Sequence, residues 1–365
     1  MTGLPLAGLR VLSMAEQYPG PLATMILSDM GADVIQIERP GSGDPSRYLV
    51  GFFEAINRGK RSVALDIRQS ADHARVLELV AEADVFLEGF RPGKLAKQGM
   101  GYADLSALNP RLIYCSITGY GQTGPYRDRP AHDLSFQGVG GALAERLDGS
   151  VTGLPSSLLL GDNASGLYAV IGILAALRGR DATGRGTQID VALSDSVTSL
   201  LTAFVGMEGR AGDPPPQAEP GYDIFLCADG LPITLSIAHE DAYWDRLCAD
   251  LRLDDLVGMK RPARTAQRAG LKARIAAAIA TRTRAAWEPV MEEAGQMWGP
   301  VNRLSDLPDD PHLQARGLLS RITRADGGDQ WVVRQPVLFS AWARPDLTRA
   351  PALNEHPDAR WEETE

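Results

Sequence analysis

Short apolar runs alternate with longer amphipathic ones through the first half of the chain. "LRVLSMA" and "DVIQIER" read as buried strands, and "GPLATMILSDMGAD" between them reads as a helix that ends at Gly31. "SVALDI", "DVFLEGF" and "LIYCSITGYG" are further strand candidates, and "SADHARVLELVAEA" is a helix with Ser70 as its cap. Strand and helix taking turns predicts parallel βαβ units in an open, doubly wound α/β sheet. In such sheets ligands bind beyond the carboxyl ends of the strands. The tails "AEQYPGP", "ERPGSGD", "EGFRPG" and "GYGQTGP" all fall there.

The pattern then predicts a helix around 134–146, a turn at "LGDNASG", an apolar helix at 163–178, a strand at "TQIDVAL" and a helix at 194–209. The stretch "GRAGDPPPQAEPGYD" (209–223) is too rich in Pro and Gly for regular structure and reads as a linker. Beyond it "DIFLCADGLPITLSIA" reads as a hairpin, followed by helices at "DAYWDRLCADL", "TAQRAGLKARIAAAIA" and "TRAAWEPVMEEAG". "WVVRQPVLFSAW" returns to strand texture. The expected organisation is a large domain over 1–200, a linker at 201–221, a smaller α+β domain over 222–315, a second linker at 316–324, and a return to the large domain over 325–365.

A chain of 365 residues suits two cores better than one. Its formal net charge of −9 argues against nucleic-acid binding through overall charge. The three cysteines, Cys115, Cys227 and Cys248, show neither disulfide nor zinc spacing, which fits a reducing compartment. The N-terminus lacks the basic and apolar regions of a signal peptide, and the apolar run "LYAVIGILAAL" is too short to span a bilayer. The expectation is a soluble cytoplasmic protein with no membrane partner. No GxGxxG follows the first strand and no GxxxxGK[ST] occurs, which argues against a nicotinamide dehydrogenase and a P-loop enzyme.

Several residues could carry chemistry. Arg39, at a strand end before a glycine loop, could hold phosphate, or be a solvated turn residue. Arg58, Lys60 and Arg61 could face a polyphosphate, or solvate a turn. Gly89 and Phe90 in "EGFRPG" could admit an extended ligand, or form a plain turn. In "AHDLSFQ", Asp133 could cap its own helix and leave His132 to packing. Asp162 in "LGDNASG" could cap the following helix. It could equally be a nucleophile toward an activated acyl group, with nearby N–H groups stabilising an oxyanion.

Taken together, "LRVLSMAEQYPGPLATMILSDMGADVIQIERPGSGD", "NRGKRSVALDI", "ADVFLEGFRPG", "LNPRLIYCSITGYGQTGPYRDRPAHDLSFQ", "LGDNASG", "GILAALRGRDATGRGTQIDVAL" and "GPVNRLSDLPDDPHLQARG" resemble the class III coenzyme A transferase family (CaiB/BaiF type). The resemblance runs from about residue 5 to 356. It implies a Rossmann-like large domain with a parallel sheet, a smaller α+β domain, and an interlocked, ring-like homodimer. It also implies that Asp162 attacks an acyl-CoA thioester to give a mixed anhydride, then carries CoA as an aspartyl thioester before passing it to a carboxylic acid. Arg39 matches a residue that holds the adenine and phosphate region of CoA. Gly89, Phe90 and Lys97 fall at further CoA-contact positions, and Gln17 and Tyr18 fall near the active site. Coenzyme A and acyl-CoA enter as substrates, with no permanent cofactor and no metal. The family also includes α-methylacyl-CoA racemase, in which a His paired with the Asp moves an α-proton. His132 stands where racemases carry that His, and Glu240 falls one place from a racemase acid. A racemase and a catalytically silent CoA-ester-binding protein are therefore the alternatives.

Overall fold

The computed structural model describes residues 3–143, 158–208 and 219–361. It divides into two compact units, residues 1–205 with 312–365, and residues 206–311. The pattern had put linkers at 201–221 and 316–324; the divisions fall at 205/206 and 311/312.

In the first unit β1 (Arg10–Ser13), β2 (Asp33–Glu38), β3 (Arg61–Ala64), β4 (Val85–Glu88), β5 (Ile113–Thr118) and β6 (Thr187–Ala192) form one six-stranded sheet in the order β3-β2-β1-β4-β5-β6. Every pairing is parallel. The central β4 and β5 are buried along their whole length, as strands covered on both faces must be. Alternate residues feed two cores. Val11, Leu87 and Cys115 pack with α1 (Pro19–Asp29). Leu12, Ile35 and Phe86 pack with α3 (Ser70–Glu82) and with Trp361 from the chain's end. Each such fully buried aliphatic or aromatic side chain contributes about 1.5–3 kcal/mol. Gly31 turns α1 into β2 at φ 106°, a conformation that suits glycine, and a Cβ there would lie 2.5 Å from the Leu4 Cβ.

Two short helices, α2 (Val50–Asn57) and α4 (Tyr102–Leu108), were not apparent from the pattern. α3 begins at Ser70 itself; Gln69 is the N-cap and makes no side-chain cap bond, so Ser70 is not the cap. α5 (Asp133–Val139) is shorter than the helix expected at 134–146: residues 140–143 are not helical, and 144–146 lie outside the described residues. The expected turn at "LGDNASG" is helical. α6 runs Leu160–Thr183, 24 residues, starting before Asp162 rather than after it.

α6 is long and apolar enough by length and composition to cross a membrane, which the eleven-residue reading of its apolar run had excluded. Its Ala169, Val170 and Ile173 instead pack into the sheet core. α7 (Leu193–Leu200) and α8 (Thr202–Glu208) follow β6.

In the second unit β7 (Tyr222–Leu226), β8 (Pro232–Ser236) and β9 (Trp298–Pro300) form an antiparallel sheet in the order β7-β8-β9. β7 takes up Tyr222 and Asp223, the end of the proposed linker; residues 209–218 of that linker lie outside the described residues. The helices are α9 (Asp241–Asp250), α10 (Arg261–Ala266), α11 (Arg268–Ile279) and α12 (Arg284–Glu293). The helix expected over "TAQRAGLKARIAAAIA" begins instead at Arg268; Thr265 and Ala266 close α10, and Gln267 separates the two. Phe225, Trp244, Ile275 and Trp287 form this unit's core. The chain re-enters the first unit in α13 (Pro311–Ala315). It then forms a hairpin of β10 (Leu319–Thr323) and β11 (Asp329–Val333). Strand texture therefore ends at Val333, before Pro336.

Candidate active site

The strand order reverses between β1 and β4, and a crevice opens at the carboxyl ends of the strands there. It comprises two cavities of about 520 and 570 Å³ that share Met14, Glu16 and Phe90. The first is lined by Gln17, Tyr18, Gly89, Phe90, His132 and Asp162 among others. The second takes Arg39 and Phe90. Six of the residues singled out in the sequence thus meet in one cavity, although they span 145 positions of the chain. Lys97 does not join them. It is exposed on the short turn Ala96–Gln98 and lines neither cavity. Lys94 takes the wall instead, with its ammonium 4.6 Å above the Phe90 ring. Arg68 is a second lining cation that the sequence reading did not single out.

Asp162 is the third residue of α6, half-buried against the first cavity. It does not cap the helix. That role belongs to Asp133, whose Oδ1 accepts the N–H groups of Gly161 at 2.7 Å and Asp162 at 3.2 Å. Gln137 donates to the other oxygen of Asp133. Asp133 was expected to cap its own helix; His132 holds that N-cap position in extended backbone, and Asp133 is the helix's first residue. The exchange has a chemical consequence. Two first-turn amides that could have served an oxyanion are engaged, while no hydrogen bond reaches the Asp162 carboxylate among the described residues. Burial, and then the Asp133 charge, push the Asp162 pKa up to about 7. A helix N-terminus alone would favour the ionised form; here desolvation outweighs it.

The neighbouring side chains are held firmly. Tyr18 donates from its hydroxyl to Asn163 Oδ1 at 2.9 Å and leans on Phe52, with ring centroids 5.1 Å apart. Gln17 adopts φ 70°, unusual for a side-chain-bearing residue. Its N–H donates to both carboxylate oxygens of buried Asp44, at 3.2 and 3.0 Å. Asp44 is tied in turn, through its own N–H, to Glu38 Oε2 at 2.9 Å. The Glu88 carboxylate accepts the Phe90 N–H at 2.7 Å, and burial raises its pKa to about 7. His132 is exposed at the cavity wall. Arg91, Arg127 and Arg129 complete that wall, the last stacked 3.6 Å from the Tyr126 ring centroid.

The cationic cluster before β3 serves neither proposed purpose. Arg58 is buried against Asp29 at 2.7 Å, Arg61 pairs with Asp33, and the buried Lys60 ammonium donates to the Pro21 carbonyl at 3.0 Å and Asn57 Oδ1 at 2.8 Å. All three are internal braces: Arg61 and Asp33 open β3 and β2 at the amino end of the sheet, opposite the crevice, whereas Lys60 reaches the start of α1. Glu240 lies in the 206–311 unit, where its Oε2 accepts the N–H groups of Ala238 and His239, each at 3.0 Å. Among the described residues no group of His, Cys, Asp and Glu could hold a metal ion.

A sequence model of CoA-transferase family III matches residues 6–357. The chain belongs to CoA-transferase family III. Succinate–glutarate CoA-transferase of Agrobacterium fabrum is 35% identical over 96% of this chain and 94% of its own length. Acetyl-CoA:oxalate CoA-transferase of Acetobacter aceti is 32% identical over 96% and 93%. A crystal structure of a CaiB/BaiF family protein from Brucella suis superposes with a TM-score of 0.85, at 34% identity and 98% coverage of both chains. The family III fold accordingly extends through both units.

Proposed function

We propose that this family III protein transfers coenzyme A between an acyl-CoA thioester and a carboxylic acid, with Asp162 as the covalent carrier. The observation that carries the reading is Asp162 itself. It is a carboxylate with no internal hydrogen-bond partner among the described residues, facing a crevice at the sheet's switch point. The crevice continues into a second cavity lined by Arg39, Arg68 and Lys94, a suitable chemistry for the phosphates of CoA.

The ionised Asp162 attacks the thioester carbonyl, forming an acyl–aspartyl anhydride and expelling CoA thiolate. The thiolate attacks the aspartyl carbonyl, releasing the first acid and leaving an aspartyl–CoA thioester. The acceptor carboxylate attacks that carbonyl to form a second mixed anhydride, again with loss of thiolate. Thiolate attack on the acceptor's carbonyl then yields the new acyl-CoA and regenerates Asp162. With the Gly161 and Asp162 amides engaged, the side-chain amide of Gln17 is the donor best suited to a developing oxyanion. Gly89, Phe90 and Tyr18 confine the pantetheine and acyl portions.

Relatives are named for succinate, glutarate and oxalate, acids with two carboxylates. Arg91, Arg127 and Arg129 on the cavity wall suit the second carboxylate of such an acid, and we infer a dicarboxylic substrate. The α6 residues Leu167, Ile171 and Leu174 form an exposed apolar row, supporting burial in the interlocked homodimer that family membership suggests. Three buried free cysteines fit a cytoplasmic location.

His132 on the same cavity wall supports the second reading, an α-proton enzyme. Both are tested by incubating the protein with succinyl-CoA and diacids, and separately with a 2-methylacyl-CoA in D2O. CoA transfer that is abolished by Asp162→Ala and only slowed by His132→Ala supports the transferase. Deuterium at the α-carbon without transfer, lost in His132→Ala, would replace it with the racemase.

A further inference from the structure

Among the described residues Glu16 is the one carboxylate bordering both cavities, and neither the sequence reading nor the proposed chemistry gives it a task. Its Oε2 accepts a hydrogen bond from Arg39 Nη2 at 2.6 Å. The partners differ in exposure. The Glu16 side chain is 18% exposed, held at the end of β1, whereas the Arg39 side chain is 58% exposed on the loop after β2. The ion pair therefore takes the Nη2 edge of the guanidinium that a CoA phosphate would need. The Nη2 edge of Arg39 can satisfy Glu16 or a phosphate in that direction, not both. Burial raises the Glu16 pKa and Arg39 opposes that rise.

We propose that Glu16 is a built-in competitor for the phosphate that Arg39 binds: it holds Arg39 in the free enzyme, yields it when CoA enters, and reclaims it as the CoA product leaves. This rests on the reading of the crevice as a CoA site. Glu16 then limits how tightly CoA is held and speeds product release, with no part in the covalent steps.

Calorimetric titration of the full chain with free CoA, with stopped-flow dissociation, tests this. Glu16→Gln should tighten CoA about three- to tenfold, with most of the change in the dissociation rate, the scale expected for removing a partly exposed ion pair. Glu16→Asp keeps the charge but shortens the reach to Arg39, so it should tighten binding too. Arg39→Ala should weaken CoA, and in that background Glu16→Gln should lose its effect. Unchanged or weaker CoA binding in Glu16→Gln, with Arg39→Ala still weakened, would overturn the competitor while sparing the CoA site. A full gain from Glu16→Gln that persists without Arg39, or no gain from Glu16→Asp, would mean general charge repulsion and would also overturn it. An Arg39→Ala protein that binds CoA as well as the parent would instead remove the assignment of Arg39 on which the proposal stands.

Discussion

Replacing Asp162 with Asn should make the free protein more stable at alkaline pH while destroying its activity. The Asp162 carboxyl is pushed from 3.8 to about 7 by burial and by Asp133. At about 1.4 kcal/mol per tenfold change in proton affinity, that rise corresponds to about 4 kcal/mol of destabilisation when the folded protein must hold the charge. Water in the open cavity screens part of it, leaving on the order of 1–3 kcal/mol. The sign follows from proton uptake. Between pH 3.8 and about 7 the folded state binds the proton and the unfolded state does not. The stability from this group is thus fully present below the unfolded value and is lost as pH rises through the folded one. Asn keeps the size and carries no charge, so Asp162→Asn should melt several degrees above the parent at pH 8. The gap should close steadily as pH falls toward 4. Differential scanning calorimetry of the ligand-free proteins across that range measures it. Equal or lower melting of Asp162→Asn at pH 8, or a gap that does not vary with pH, would refute the electrostatic description of the site.

Because the nucleophile must be ionised, kcat/KM should fall about tenfold per pH unit below pH 7. Asp133→Asn, by removing the like charge, should move that acid limb down by about one pH unit or less, whereas Asp133→Ala should also lose the α6 cap, at about 1 kcal/mol in thermal unfolding. Ile171→Glu, placed in the exposed apolar row of α6, should raise the dissociation constant of the proposed homodimer at least about tenfold; light scattering that finds unchanged mass at low micromolar protein would contradict that interface.

The sheet was legible because its strands are covered on both faces. Runs such as "VFLE" and "IYCSIT" are mostly apolar and buried at every position, and glycine-rich tails mark their carboxyl ends. That sufficed to place Gln17, Gly89 and Phe90 along one edge. What escaped the sequence was decided by partners far away in the chain. "LGDNASG" is locally a turn, rich in Gly, Asp and Asn, yet it is helical because Asp133, 28 residues earlier, satisfies its first free amides. Nothing local separates Arg58 and Arg61, which are paired with Asp29 and Asp33, from Arg39 at the opposite end of the sheet. Lys97 and Lys94 are one turn apart, and only the course of the loop decides which of them borders the crevice.

The proposed chemistry requires that Asp162 become covalently linked during transfer. The direct measurement is peptide mass spectrometry after incubation with succinyl-CoA and quenching with hydroxylamine. The peptide containing Asp162 should gain the mass of the hydroxamate, Asp162→Ala should show none, and Asp133→Asn should still acquire it. Rapid CoA transfer by the parent protein with no modification at Asp162 on the turnover timescale would contradict that chemistry.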